Sequence, residues 1–109
     1  MGRVHFMAAS SIVAATIVLG MNGAQAAGNA QAGHSLARLW CSSCHIVDES
    51  GEGRDTAPPF ATIANSRHAD DRWLRGWLIQ PHPPMPNFNL SRQEIDDITA
   101  YLSSLRVRH

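Results

Sequence analysis

The residues best equipped for chemistry stand together at Cys41-Ser42-Ser43-Cys44-His45. Cys-x-x-Cys-His is the pattern by which a polypeptide carries a covalently attached c-type haem. Positions i and i+3 on one helical turn share a face, so two thiols can each reach a vinyl group of one porphyrin. The next residue then points its imidazole at the iron from the proximal side. Three other chemistries use such thiols. A thioredoxin-like dithiol wants a preceding strand and a βαβ unit, whereas residues 31–40 read as helix. A structural zinc site wants four Cys or His ligands in paired spacing, and only one Cys pair is present. A plain disulfide between Cys41 and Cys44 is open to a chain in an oxidising compartment, but it leaves His45 without a role.

An iron held by His45 has a second axial position, and the ligand there decides between electron transfer and small-molecule binding. The chain has methionines at positions 1, 7, 21 and 85, and the first three fall in a leader-like segment. Met85 sits in Pro81-His82-Pro83-Pro84-Met85-Pro86, where the prolines remove backbone freedom and donors and so exclude a helix or a central strand. Such a loop suits a thioether held rigidly over an open ring face, and Met85 is the expected sixth ligand. The alternative is an ordinary gap-filling methionine. His82, three residues earlier in the same loop, is the nearest rival ligand, with His34 and His68 more remote. A solvated surface imidazole is the usual fate of each, and His109 is terminal.

A short chain must position these groups. Arg3 supplies a positive start, residues 8–19 form an apolar core of 12 residues, and Gly20, Asn22 and Gly23 break it. Ala24-Gln25-Ala26 then has the small-x-small form of a signal-peptidase site. We expect residues 1–26 to be a secretory signal and residues 27–109 to be one exported domain, soluble in the periplasm after cleavage. The rival is an uncleaved membrane anchor, since residues 4–37 carry no Lys, Arg, Asp or Glu; the strongly apolar part is nevertheless short of the ~20 residues that span a bilayer. Removing 26 of 109 residues leaves 83. A domain of that size buries little more than about 60% of its unfolded surface and usually needs a staple. At ~25 cal/mol per Å², each hundred Å² of macrocycle withdrawn from water contributes about 2.5 kcal/mol, so a haem would complete the core.

Composition excludes several classes. The chain has 9 Arg and no Lys against 9 Asp plus Glu, with no basic run, and so lacks the electrostatic footprint of a nucleic-acid binder. With 44% apolar and 17% charged residues it is not a disordered chain. Residues 48–55 superficially suggest a calcium loop, but the twelfth position from Asp48 is Pro59, where an EF-hand needs a bidentate Glu. A polar surface turn without calcium is the better reading.

Residues 31–40 read as a short first helix. Asp70 or Asp71 can cap a second, with Trp73, Leu74, Trp77 and Leu78 on one side and Pro81 ending it. Ser91-Arg92-Gln93-Glu94 is a capping box flanked by the staple pair Leu90 and Ile95. Ile95, Ile98, Leu102 and Leu105 then form one apolar stripe. No strand-like alternation of useful length occurs, so the class is all-α, three to four short helices around one haem. The indole N–H of Trp77, or of Trp73, can donate to a buried haem propionate, which would otherwise be a costly unpaired charge. Trp77 is the preferred donor, although the spacing of both tryptophans also suits simple packing on a buried helical face. Arg72 and Arg75 are further propionate candidates, with solvated arginine the default.

On these residues the chain resembles a class I cytochrome c of the small exported bacterial type. The resemblance spans about residues 30–105 through Cys41-Ser42-Ser43-Cys44-His45, Ala57-Pro58-Pro59-Phe60, Pro84-Met85-Pro86 and the segment from Glu94 through Ile98 and Tyr101 to Leu102. It implies the cytochrome c fold, and a Pro58 carbonyl that accepts the imidazole N–H of His45, fixing the ring and raising its basicity. A plain loop stiffener is the alternative for Pro58-Pro59. It implies that the first and last helices cross closely, with Gly33 and Ala37 against Ile98 and Tyr101 and near backbone contact at Gly33. The family often has an aromatic residue where Ala37 stands, so the crossing here is expected to pack differently.

The resemblance also implies one covalent haem c with its iron, and a one-electron carrier rather than an enzyme. Such a carrier docks transiently with a donor dehydrogenase or reductase and an acceptor oxidase through a partly exposed haem edge. Without lysines, partner surfaces must be read by Arg and apolar contacts, and long-range steering should be weak. Two other classes stand beside this one: a haem enzyme or gas sensor with an open or displaceable sixth site, and a haem-free thiol oxidoreductase using Cys41 and Cys44.

Overall fold

The computed structural model describes residues 1–2, 27–49, 57–80 and 82–108. The expected secretory signal, most of the polar stretch after Asp48, Pro81 and His109 lie outside the described residues. Four helices follow one another: α1 (Ala30–Trp40), α2 (Phe60–Ala64), α3 (Asp71–Ile79) and α4 (Arg92–Ser104). Among the described residues there is no strand, only an isolated bridge between His82 and Met85, and the all-α expectation holds. None of these helices is long and apolar enough to cross a membrane.

Local chemistry sets the helix ends. α1 starts one residue before the apolar pattern suggests, because the Asn29 side chain accepts from the N–H groups of Gln31 and Ala32, both at 3.0 Å. Asp70, not Asp71, caps α3, accepting from the Trp73 N–H at 2.7 Å. The capping box of α4 is reciprocal: Ser91 Oγ accepts from the Glu94 N–H at 3.2 Å, and Glu94 Oε2 accepts from the Ser91 N–H at 2.7 Å. Its stripe is buried at Ile95, Ile98 and Leu102 and partly buried at Leu105. α2 is a five-residue helix that no periodicity announces. Pro59 precedes it in extended conformation, and buried Phe60 anchors it.

The closest packing is between α1 and α4, and it is backbone on backbone. A Cβ on Gly33 would stand 1.9 Å from the Asp97 carbonyl oxygen, and one on Gly28 would stand 1.9 Å from that of Asp96. Ala37 is fully buried one turn further along α1. The Asp97 carboxylate, itself buried, accepts from the Asn29 N–H at 2.7 Å and from Gln93 Nε2 at 2.8 Å. A buried carboxylate is tolerable when hydrogen-bonded, and a negative charge at a helix N-terminus suits the dipole of α1.

α3 leans on α4 and the residues just after it through buried Leu74 and two ionic contacts. Arg75 Nε lies 2.7 Å from Asp96 Oδ1, so this arginine is engaged by α4 rather than simply solvated. Asp71 accepts from Ser103 Oγ at 2.7 Å and pairs with Arg106 at 3.0 Å. These contacts, the Ser103 hydroxyl first, hold the Asp71 carboxyl below its ordinary range. Asn65, at the end of α2, donates to the Leu105 carbonyl at 3.1 Å and accepts from the Val107 N–H at 2.8 Å, tying the C-terminal tail to the bundle.

A paired substitution tests the crossing. Gly33→Ala should destabilise by about 1–3 kcal/mol, the usual cost of forcing a methyl group into a filled contact. Gly76, inside α3, has nothing within 4 Å of its Cβ position, and Gly76→Ala should gain up to about 1 kcal/mol from helix propensity alone. Urea unfolding of the two variants should therefore shift the midpoint in opposite directions.

Candidate functional site

α1 ends at Trp40, and the cysteine motif follows it as a hydrogen-bonded turn rather than as part of the helix. The Cys41 N–H closes the helix on the Ala37 carbonyl at 2.8 Å, and the N–H groups of Cys44 and His45 return to the Cys41 carbonyl at 3.1 and 2.9 Å. The expectation of a helical turn is corrected in that detail. Its geometric content survives, because a tight i to i+3 turn also brings those two side chains to one side. Cys41 is buried and Cys44 exposed. Burial, with the neighbouring Cys44 as a second cause, pushes the Cys41 thiol up to about 11.

His45 follows directly. Its Nδ1 lies 2.6 Å from the Pro58 carbonyl oxygen, which can only accept, so Nδ1 carries the proton and Nε2 keeps a lone pair for a metal. Phe60 packs edge-on against the ring, with centroids 5.4 Å apart. The Phe60 N–H donates to the Ile46 carbonyl at 2.9 Å, so the segment after His45 and the segment after Pro58 brace each other through backbone.

The loop after His45 is pinned to the helix crossing by contacts that reading the sequence missed. The Tyr101 hydroxyl, on α4, donates to the Val47 carbonyl at 2.7 Å. His34 lies on the Tyr101 ring with centroids 4.8 Å apart and pairs with Asp48, which Arg38 approaches at 4.0 Å. Burial first, then the charges of Asp48 and Glu49, raises the Tyr101 hydroxyl above its ordinary value of 10. The available signal was that Tyr101, the chain's single tyrosine, flanks the apolar stripe of α4; a buried tyrosine hydroxyl must find an acceptor.

Met85 belongs to the proline loop between α3 and α4. The Met85 N–H donates to the His82 carbonyl at 3.2 Å, and the peptide bond between Pro83 and Pro84 is cis. A narrow cleft has Cys41, His45, Trp77 and Met85 in its walls. The rest of its lining is apolar: Phe60 and Ile63 of α2, Leu74 and Leu78 of α3, and Leu102 of α4. Cys44 and Pro58 are not part of that lining; Cys44 stands at the end of the turn that begins with Cys41, and Pro58 reaches the site through its bond to His45. His34 and His68 do not line the cleft.

The tryptophans do not form the buried helical face that their spacing suggests. Only Leu74 of that cluster is fully buried, while Trp73 is 38% and Trp77 48% exposed. The two indoles stack on each other, 5.3 Å apart and 11° from parallel, and Trp77 overhangs the cleft. Spacing places four large side chains on one side of α3, but among them only Leu74 is buried in the core, with Leu78 packed partly against it.

A slot walled by aliphatic and aromatic carbon, with an imidazole nitrogen and a thioether sulfur as its donor atoms and a thiol at each end of the adjoining turn, fits an iron porphyrin. It fits neither a zinc ion, which wants four ligands, nor a polar substrate. The model of the cytochrome c family matches residues 30–106. This chain belongs to the cytochrome c family. Cytochrome c-552 of Bradyrhizobium diazoefficiens is 46% identical over 81 residues, covering 71% of this chain and 77% of the relative. No solved structure matches it significantly. As a family member the protein is a monohaem electron carrier whose cofactor is haem c with its iron, and the dithiol reading of Cys41 and Cys44 falls away.

Tyr101→Phe measures how firmly the loop after His45 is held. Loss of one buried neutral hydrogen bond should cost about 1 kcal/mol at pH 7. The folded-state pKa of Tyr101 is raised, so this contribution is complete below pH 10 and is lost as pH rises through the folded value. Urea unfolding should show the wild-type advantage over Tyr101→Phe at pH 7 and its progressive loss above pH 10.

Proposed function

We propose that His45 and Met85 are the axial ligands of the haem iron, that Cys41 and Cys44 hold the macrocycle by thioether bonds, and that the exported product of residues 27–109 shuttles single electrons. The observation that carries this reading is the His45 Nδ1 to Pro58 bond of 2.6 Å, which leaves Nε2 unprotonated in the cleft that Met85 also lines. Bound there, the haem supplies a one-electron couple at its iron. Pro58 fixes the His45 ring and raises its basicity. Met85 would hold the iron through its sulfur and would raise the potential, as would an apolar surround that disfavours the extra ferric charge. With the position filled no substrate has a place to be transformed, which supports a carrier without enzymatic activity. Trp77, overhanging the cleft, is the preferred donor to a propionate.

Redox proteins of donor and acceptor type are the partners. The docking surface is read as mainly apolar: Trp73 and Ile79 are exposed on α3, the helix that also lends Trp77 to the cleft wall, and the chain has no lysine for long-range steering. Export to the periplasm rests on the signal-like residues 1–26.

Met85→Ala, matured with its haem, tests the ligation. The variant should keep covalent haem, lose the thioether signature in its visible and EPR spectra and drop in reduction potential. A spectrum identical to wild type would place the sixth ligand elsewhere.

A further inference from the structure

His34 has no place in the cleft wall, yet it holds the loop that follows His45. It is the residue next to Gly33, where α1 meets the backbone of α4, so the helix crossing sets its position. Nε2 of His34 pairs with Asp48 Oδ1, and the ring lies on that of Tyr101 with centroids 4.8 Å apart. An ionised carboxylate can only accept, so Nε2 donates here whether or not the ring carries a second proton. Arg38 also approaches Asp48, but at 4.0 Å and from an exposed side chain, where an ion pair contributes little.

Asp48 stands three residues after His45, and the backbone between them is bonded on both sides. The Val47 carbonyl accepts from the Tyr101 hydroxyl at 2.7 Å, and the Ile46 carbonyl accepts from the Phe60 N–H at 2.9 Å. Phe60 lies two residues after Pro58, whose carbonyl oxygen takes the Nδ1 proton of His45 at 2.6 Å. The loop from His45 to Asp48 and the turn from Pro58 to Phe60 are therefore joined by two hydrogen bonds, one of them made by the imidazole itself. Side chains of the helix pair hold the loop at two points, Tyr101 at Val47 and His34 at Asp48. The first hold comes from α4 and the second from α1. A shift of this loop against the turn would lengthen the His45 to Pro58 bond.

We propose that His34 is a positioning residue for His45: its bond to Asp48 keeps the loop where the imidazole meets the Pro58 carbonyl. This role rests on the His45 ligation proposed above. It adds that the orientation and basicity of the ring, which the carbonyl acceptor governs, are set from α1 by a side chain outside the cleft. Without the Asp48 anchor the far end of the loop is free to swing away from α1, and the Nδ1–H bond to Pro58 opens more often.

Hydrogen exchange of the His45 ring Nδ1–H, followed by NMR in the exported, haem-loaded ferrous protein, tests this in wild type, His34→Ala, His34→Gln and Ser103→Ala. Wild type should show one protected ring proton. His34→Ala should exchange it about tenfold faster, the factor that corresponds to loss of one charge-assisted hydrogen bond of modest strength. Asp48→Ala removes the same bond from its other end and should match His34→Ala, and it takes that variant's place if the latter does not accumulate. His34→Gln returns an N–H donor to Asp48 without the ring and should exchange at close to the wild-type rate. Ser103→Ala removes a bond to Asp71 in the seam between α3 and α4 instead, and should leave the rate unchanged. A wild-type rate in His34→Ala overturns the positioning role and leaves the ligation standing. Equal acceleration in Ser103→Ala overturns it too, by reducing the effect to general stability, as does His34→Gln exchanging as fast as His34→Ala. A wild type with no protected Nδ1–H overturns the reading of His45 and this role together.

Discussion

Two backbones touch where α1 and the residues just before it cross α4, at Gly28 and Gly33 against the carbonyls of Asp96 and Asp97, and the position of the cysteine turn and of His45 follows from that contact. Cys41 is the residue that closes α1, so the angle and depth of the crossing fix where the cysteine turn emerges. Asp97 locks the same contact chemically by receiving the N–H of the Asn29 cap. At the far end of the crossing, Tyr101 reaches from α4 to the Val47 carbonyl and holds the loop that leaves His45. The helix pair is therefore a frame whose free ends carry the chemistry.

The frame by itself encloses little. Among the described residues the largest fully buried side chains are Leu74 of α3 and Ile98 and Thr99 of α4, and several of the other apolar side chains line the cleft. In a small domain every hundred Å² withdrawn from water at ~25 cal/mol per Å² is a large share of a net stability of only about 5–15 kcal/mol. Haem c, the cofactor of this family, would cover that apolar surface if held in the cleft. The same apolar walls would then set the dielectric around its iron, so one surface would serve folding and redox tuning.

Local signals were legible in the sequence, and surface partition was not. The Ser91 and Glu94 capping box, the stripe from Ile95 to Leu102 and the Asp70 cap of α3 depend on neighbours within a few residues and can be read directly. The haem motif is legible for the same reason, since two thiols and an imidazole must sit at fixed short spacing. α2 was not, because five residues give no period to detect. How far Trp73 and Trp77 are covered was not legible, because spacing tells which residues share a face but not what covers it. Asp97 was passed over because a carboxylate on a helix is ordinarily solvated, and only the arriving N-terminus of α1 makes its burial sensible. Arg75 was read as solvated or propionate-bound for want of knowledge that Asp96 stood opposite.

The account stands on covalent attachment of one porphyrin through Cys41 and Cys44, and intact mass of the protein exported from cells that mature c-type cytochromes addresses this most directly. The predicted result is a chain beginning at Ala27 whose mass exceeds that of its amino acids by one haem and whose colour survives acid-acetone extraction, with proteolysis placing the added mass on the peptide that holds both cysteines. A colourless product with no added mass, or a haem lost on extraction, would contradict it.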